Sequence, residues 1–320
     1  MCETIIAHEG FGFKFSFLSF FVIMGAMKQL FKRKKRWFVL ALLCLVCITY
    51  LYWQNNGLMV TNYTIVDDAL PPEMDGLTIV QISDLHNKSF GSNQKRLLSA
   101  IQEAQPDIIL LTGDLIDRRR KGMDHALSLV SQAIEIAPVY YITGNHEEGS
   151  SEYPRLKAEL QSLGVIMLDN RSVPYVKNGA EITLAGIHDP ARMDTTSFSR
   201  SEEQSAHKAY AAQCLEAAMA NVPSNAYTIL LAHRPSYFHL YQEKGASLVF
   251  SGHAHGGQIR IPFLGALLSP DEGFFPKYTA GVYQEGDSTL VVSRGLGNSI
   301  IPIRIHNRPE LVVVTLRGSK

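Results

Sequence analysis

The chain has 320 residues with 30 Lys/Arg and 30 Asp/Glu, so it is formally neutral and long enough for one large α/β domain or two small ones. At 46% hydrophobic and 19% charged it is neither disordered nor collagenous nor a coiled coil. The neutrality is local cancellation: Lys14, Lys28, Lys32, Arg33, Lys34, Lys35 and Arg36 against Glu3 and Glu9 give residues 1–53 a charge of +5, which leaves −5 for residues 54–320 and argues against a dedicated nucleic-acid binder.

Residues 11–27 (FGFKFSFLSFFVIMGAM) form an apolar run broken by Lys14 and read either as a first membrane span or as sequence translated from a start chosen too early. Met27 followed by the basic run Lys32–Arg36 and a second apolar run makes a self-sufficient amino terminus, so the true start is placed near residue 27. Trp37 to Trp53 (WFVLALLCLVCITYLYW) is uncharged and bounded by aromatics; seventeen residues span roughly 25 Å as a helix, at the short end of a bilayer core. Five cations stand before it, and Gln54 to Gly76 carries Asp67, Asp68, Glu73 and Asp75 with no Lys or Arg. The positive-inside rule keeps residues 1–36 in the cytoplasm and sends the body across, giving a single-pass protein of the cell membrane with an extracytoplasmic body. Small residues are missing at the end of the run, which favours an uncleaved anchor over a signal peptide. Cys44 and Cys47 read as apolar filler, and Cys214 stands alone in the body, where it can form no internal disulfide.

Residues 54–76 read as a polar, irregular stalk, and residues 77–320 as the catalytic domain. Strands are predicted at Leu77–Ile82, Ile108–Thr112, Val139–Thr143, Val165–Leu168, Glu181–Ile187, Thr228–Ala232 and Leu248–Phe250, alternating with helices over 93–104, 123–136, 151–163 and 202–220, the signature of an α/β layered fold. Short β-rich runs at Tyr278–Tyr283, Thr289–Ser293 and Glu310–Leu316 suggest a second sheet.

Five apolar strands stop directly before residues of metal-ligand type: Asp84 and His86, Gly113-Asp114, Gly144-Asn145-His146-Glu147, His233, and Gly252-His253-Ala-His255. Carboxyl ends of strands form the ligand crevice of an α/β sheet, so five such ends imply one site. Oxygen and imidazole donors without thiolate fit Mn, Fe or Zn in a catalytic setting. Glycine before Asp114, Asn145 and His253 lets the backbone turn sharply. Each piece alone is a common accident; the series, each at a strand end, is not.

The series Asp84-x-His86, Gly113-Asp114-x-x-Asp117, Gly144-Asn145-His146-Glu147, His233, Gly252-His253-x-His255 resembles the calcineurin-like metallophosphoesterase family, and Gly252-His-Ala-His-Gly-Gly-Gln258 with Ser293-Arg-Gly-Leu-Gly297 its membrane-associated bacterial branch. The resemblance covers residues 77–316. It implies a four-layer αββα sandwich of two mixed sheets flanked by helices, and two divalent ions. Asp84, His86, Asp114 and His255 would hold one ion and Asn145, His233 and His253 the other, with Asp114 bridging. The implied reaction is in-line attack on phosphorus by hydroxide activated between two ions about 3.5 to 4 Å apart. His146 would protonate the leaving oxygen, Asp117 would orient it, and Arg118 would contact phosphate. Arg120 and Lys121 read as a solvated loop, His188 and His207 as structural or surface residues, and Asn298 with the Arg294–Gly297 turn as candidate pocket lining.

A phosphoesterase favouring diesters is the leading expectation, with envelope or lipid-linked phosphoesters as candidate substrates. The competitors are a metal-dependent hydrolase of another bond and a scaffold that has lost catalysis. The intact ligand set and His146 oppose the scaffold; the Asn145-His146 pair beside an Arg favours phosphate.

Overall fold

The computed structural model describes residues 17–193, 196–269, 273–298 and 303–319, and divides at Tyr50 into two units. Helix α1 (Phe17–Asn56) fills the described part of the first unit and ends in the second. Its side chains from Lys32 to Thr49 are exposed, and the stretch Lys32–Asn56 is long and apolar enough to cross a membrane, about 37 Å at 1.5 Å per residue. Residues 1–16, including the start of the first apolar run, lie outside the described residues.

In the second unit the chain runs through β1 (Met59–Val66), β2 (Thr78–Ile82), α2 (Lys95–Ala104), β3 (Ile108–Leu111), α3 (Asp124–Ala133), β4 (Val139–Tyr141), the single turn α4 (Asn145–Glu148), α5 (Tyr153–Ser162) and β5 (Ile166–Met167). It continues with β6 (Arg171–Lys177), β7 (Ala180–Gly186), α6 (Arg200–Met219), β8 (Thr228–Leu231), α7 (Phe238–Glu243) and β9 (Leu248–Ser251). Two small hairpins follow, β10 (Arg260–Ile261) with β11 (Gly265–Ala266) and β12 (Leu268–Ser269) with β13 (Gly273–Phe274), then β14 (Gly281–Glu285), β15 (Ser288–Val292) and β16 (Glu310–Arg317).

Two mixed six-stranded sheets result, ordered β1-β16-β2-β3-β4-β5 and β14-β15-β9-β8-β7-β6. Their inner faces share one apolar core that includes Ile79, Ile108, Leu110, Leu231, Phe250 and Val314. The outer face of the first sheet packs on α2, α3 and α5, and that of the second on α6 and α7, which makes four layers, α, β, β, α. Strands buried on both faces lose the alternation of a half-exposed strand: in Ile108-Ile109-Leu110-Leu111, residues 108 and 110 enter the sandwich and 109 and 111 face the helices.

The 54–76 segment is not an irregular stalk. Met59–Val66 pairs parallel with β16 over eight residues, Met59↔Glu310 to Val66↔Arg317. As an edge strand it keeps Val60, Asn62, Thr64 and Val66 on an exposed outer face, and only Ile65 is buried. Strand β6 lacks a strand signature for the same reason: it is an edge, where its Pro174 is tolerated.

Candidate metal centre

The five ligand-bearing segments follow β2, β3, β4, β8 and β9, so they come from both sheets. The single sheet crevice expected from the strand ends is instead the shared rim of a sandwich. Gln81 ties the sheets directly beneath it, its amide donating to Thr112 Oγ1 at 3.0 Å and to Ser251 O at 2.9 Å. All seven expected ligands are buried and together. Donor atoms of Asp84, His86, Asp114 and His255 lie within 4.8 Å of one another. Asp114 Oδ2 stands 3.8 Å from His86 Nε2 and 3.3 Å from His233 Nε2. On the far side His253 Nδ1 is 2.9 Å from Asn145 Oδ1.

These donors fit divalent cations. His86 Nε2 and His255 Nε2 face each other at 3.1 Å, and His255 Nε2 faces Asp84 Oδ1 at 3.3 Å. Imidazole nitrogens converge here with one carboxylate on each side, an arrangement that a cation stabilises and burial otherwise penalises. His233 Nδ1 donates to the Thr112 carbonyl at 2.7 Å, which leaves the Nε2 lone pair to the centre. The carboxylates are held too: Asp114 Oδ1 accepts from His146 N–H at 2.8 Å, Asp84 Oδ1 accepts from His253 N–H at 3.1 Å, and Asp84 Oδ2 accepts from the Ser83 hydroxyl at 2.5 Å.

Turning back on itself puts five ligands, Asp84, His86, Asp114, His253 and His255, at positive φ between 48° and 63°. Side chains there cost of order 1 kcal/mol each and persist where surrounding contacts dictate them. Of the three glycines assigned to sharp turns, only Gly113 needs its φ of +92°. Gly144 and Gly252 serve by lacking a side chain: a Cβ would lie 2.2 Å from Asp114 Oδ1 at the first and 1.9 Å from Ser83 Oγ at the second.

Crowded charge shifts the protonation equilibria. Burial, with Asp114 adding repulsion, pushes the Asp84 carboxyl up to about 6. Burial lowers His86 to about 3 and holds His255 well below the usual histidine range. Burial also opposes charge on His233, yet the adjacent Asp114 carboxylate overrides it and raises His233 to about 10. Without metal, His233 and Asp114 are therefore an ion pair.

His146 and Asp117 adjoin the centre. His146 Nδ1 lies 3.3 Å from Asp117 Oδ1, and the His146 ring meets the His86 ring edge-on at 4.4 Å. Asp117 also accepts from Arg119 N–H at 2.9 Å and from Arg120 Nε at 2.6 Å, and these donors outweigh its burial and keep it below the usual carboxylate range. Arg120 is therefore more than a solvated loop residue: it clamps Asp117 and donates to Asn298 O at 3.0 Å. His188 is structural, against Glu148 Oε1 at 3.1 Å, while buried His207 lines the cleft. A cleft of about 1200 Å³ opens beside Asn145 and His253, with Arg118, Arg200, Lys208 and Arg234 on its walls and Glu203 among them.

The Arg294–Gly297 turn underlies the ligands and is absent from the described cleft lining: Leu296 N–H donates to Ser83 O at 3.1 Å and Gly297 N–H to Asp84 O at 2.6 Å. Arg304, fully buried, organises it by donating to Asn298 Oδ1, Arg294 O, Asn307 O and Gly297 O. Asn307 donates in turn to His255 O at 2.6 Å. Glu147 accepts from Asp114 N–H at 2.7 Å, Gly144 N–H at 2.8 Å and Ile116 N–H at 3.1 Å, locking two ligand loops together. Arg304, Asn307 and Gln81 carried no sequence signal, and Glu147 carried only its place in the motif, because their contacts, among them Gln81 to Ser251 O, Asn307 to His255 O and Asp114 N–H to Glu147, form only when the loops are brought together.

The family model for calcineurin-like phosphoesterases matches residues 77–257. The uncharacterized metallophosphoesterase YkuE of Bacillus subtilis (strain 168) is 28% identical over 84% of this chain and 88% of its own length. A transmembrane protein with metallophosphoesterase domain from Bos taurus is 31% identical over 81% of this chain and 57% of its own. Phosphodiesterase YaeI of Escherichia coli (strain K12) is 28% identical over 78% of this chain and 84% of its own.

Proposed function

Because the chain belongs to the calcineurin-like phosphoesterases, metal-dependent hydrolases of phosphoester bonds, we propose that it is a membrane-anchored dinuclear phosphodiesterase acting on the extracytoplasmic side. The observation that carries the dinuclear reading is Asp114 Oδ2 standing between His86 Nε2 and His233 Nε2, with a donor set on either side. Asp84, His86, Asp114 and His255 would hold one divalent ion, and Asp114, Asn145, His233 and His253 the other. The bound pair supplies Lewis acidity and an activated water.

The protein's own part is to position charge and move a proton. His146 Nδ1 is held between Asp117 Oδ1 and the Arg118 N–H, each at 3.3 Å, which fixes the ring and leaves Nε2 as the nitrogen that would protonate the leaving oxygen. Arg118 lines the cleft beside Asn145 and His253, where a guanidinium can grip phosphate oxygens in pairs. The cleft also gives room for a second group on phosphorus, which supports a diester over a monoester. Five cations before the apolar run and none in 54–76 support the outward-facing body.

Hydrolysis of an activated phosphodiester by the purified full chain with Mn(II) tests the reading. Folded, metal-loaded protein with no turnover across Mn, Fe and Zn would overturn it, and faster hydrolysis of carboxylic esters or amides would point to another bond type.

A further inference from the structure

We propose that the β10–β11 hairpin is a bilayer contact of the catalytic body, with Phe263 and Leu264 at its tip seated in the apolar edge of the membrane interface. This rests on the reading of α1 as a membrane anchor. From Ile261 to Leu268 (IPFLGALL) the chain carries no charge. Phe263 is completely exposed, Leu264 is 69% exposed, and Phe275, tied to the next hairpin by its N–H to Leu267 O, is 59% exposed. Other exposed large apolar side chains described in the body, such as Val60, Val176 and Phe198, lie on separate elements and are ordinary surface scatter.

Turn chemistry makes the choice of residue more pointed. Phe263 sits at φ +67°, a conformation for which Gly or Asn is the inexpensive solution and which a bulky side chain rarely takes. The chain thus accepts both backbone strain and a hydrated phenyl ring at the same position. An apolar surface outside the protein removes the second cost.

The body's own connections identify that surface as lipid. Residue 259 bridges to Ile305, and Arg260 N–H donates to Ile305 O at 3.0 Å, so the hairpin grows from the strip 303–307. That same strip receives the end of the apolar run: Arg304 N–H donates to Asn55 Oδ1 at 3.1 Å, Asn307 N–H donates to Gln54 Oε1 at 3.1 Å, and the Arg308 guanidinium covers the Trp53 ring at 4.6 Å. Tyr52 and Trp53, half or more exposed, are interface-type residues at the exit of the span. Ile303, on the same strip, is exposed as well. The hairpin base is thus one strand pairing away from where the bilayer begins. Because β10 starts five residues after the ligand His255, tip insertion sets the metal centre at headgroup level, suited to a phosphoester carried by a lipid.

The test uses the full chain in lipid nanodiscs with Trp37→Phe and Trp53→Phe removing the native tryptophans. One version carries Phe263→Trp and a control carries Ser162→Trp, at an exposed position on α5. Brominated lipid should quench the indole at position 263 at least threefold more than the one at position 162. Equal quenching would overturn the proposal, as would an unquenched Phe263→Trp chain that crosslinks through its hairpin to a second copy or to another protein. Flotation of the full chain with vesicles reads the anchor separately. Loss of flotation sinks the anchor and the hairpin together, whereas flotation with no quenching of Phe263→Trp sinks the hairpin alone. As a functional arm, Phe263→Asp should leave turnover of a soluble activated diester unchanged and lower turnover of a nitrophenyl phosphodiester of a lipid in vesicles at least fivefold; equal turnover on the lipid ester would count against it. A wild-type chain inert on the soluble diester would refute the phosphodiesterase reading, while the quenching result still decides the hairpin.

Discussion

Adding one methyl group at position 252 should disable the metal centre while sparing the fold. A Cβ on Gly252 would lie 1.9 Å from Ser83 Oγ, 2.4 Å from Asp84 Oδ2 and 3.1 Å from Ser83 Cβ. Ordinary contact begins at 3.4 Å, so the Asp84 carboxylate must retreat by about 1 Å and the Ser83 hydroxyl by about 1.5 Å, or the β9 loop must lift. Ser83 is fully buried and its hydroxyl donates to that same carboxylate, so rotation of the hydroxyl sacrifices a bond that holds the ligand. Overpacking of this kind costs about 1–3 kcal/mol of stability, tolerable for a domain of this size. Displacing a ligand by about 1 Å is far more damaging to rate, on the order of a hundredfold. Gly252→Ala should therefore retain its circular-dichroism spectrum, lose metal content measured by plasma emission, and fall about a hundredfold in turnover of an activated diester. Ser83→Gly combined with Gly252→Ala removes the nearest clash and should recover part of the loss. Wild-type metal content and rate in Gly252→Ala alone would refute the close approach of the β2 and β9 loops on which the centre depends.

Asp114→Ala should abolish metal binding and turnover together, whereas His146→Ala should keep both metals and lose about 10²–10⁴ in rate; full activity of His146→Ala on a poor leaving group would remove it as the acid. Glu147→Gln keeps acceptors for two of its three N–H donors and turns an amide toward the Ile116 N–H, so metal affinity by calorimetry should weaken about 10–100-fold. Metal uptake must displace a proton from His233, raised to about 10, and below pH 6 a second from Asp84; His86 and His255 are already neutral. Apparent affinity should thus rise about tenfold per pH unit between 6 and 8 and more steeply below 6; an affinity flat from pH 6 to 8 would contradict the His233–Asp114 ion pair. A reporter fused after Lys320 should register the exterior of the cell, and a cytoplasmic signal would reverse the proposed topology.

The candidate ligands were legible because they follow buried strands, and such strands leave continuous apolar runs ending in a polar motif. Ile108–Leu111 before Gly113-Asp114 and Leu248–Ser251 before Gly252-His253 carry that signature in consecutive residues. Edge elements were not legible in the same way. Strand β1 mixes polar and apolar residues without a regular period and has one face in solvent, and its pairing partner β16 lies some 250 residues away, so nothing local distinguishes it from a stalk.

Sequence alone determined the candidate side chains proposed to carry the chemistry, the charge asymmetry around the apolar run and the alternation of elements, since covalent order and apolar patterning are local properties. Only the tertiary structure decided that the ligands come from two sheets and not one, that Gly144 and Gly252 are required for space and not for backbone angle, and that Arg304, Asn307 and Glu147 hold the loops. It also set the Phe263 hairpin and the end of the apolar run on one strip of chain. Those facts depend on distances between residues far apart in the chain, and such distances exist only once the sandwich has closed.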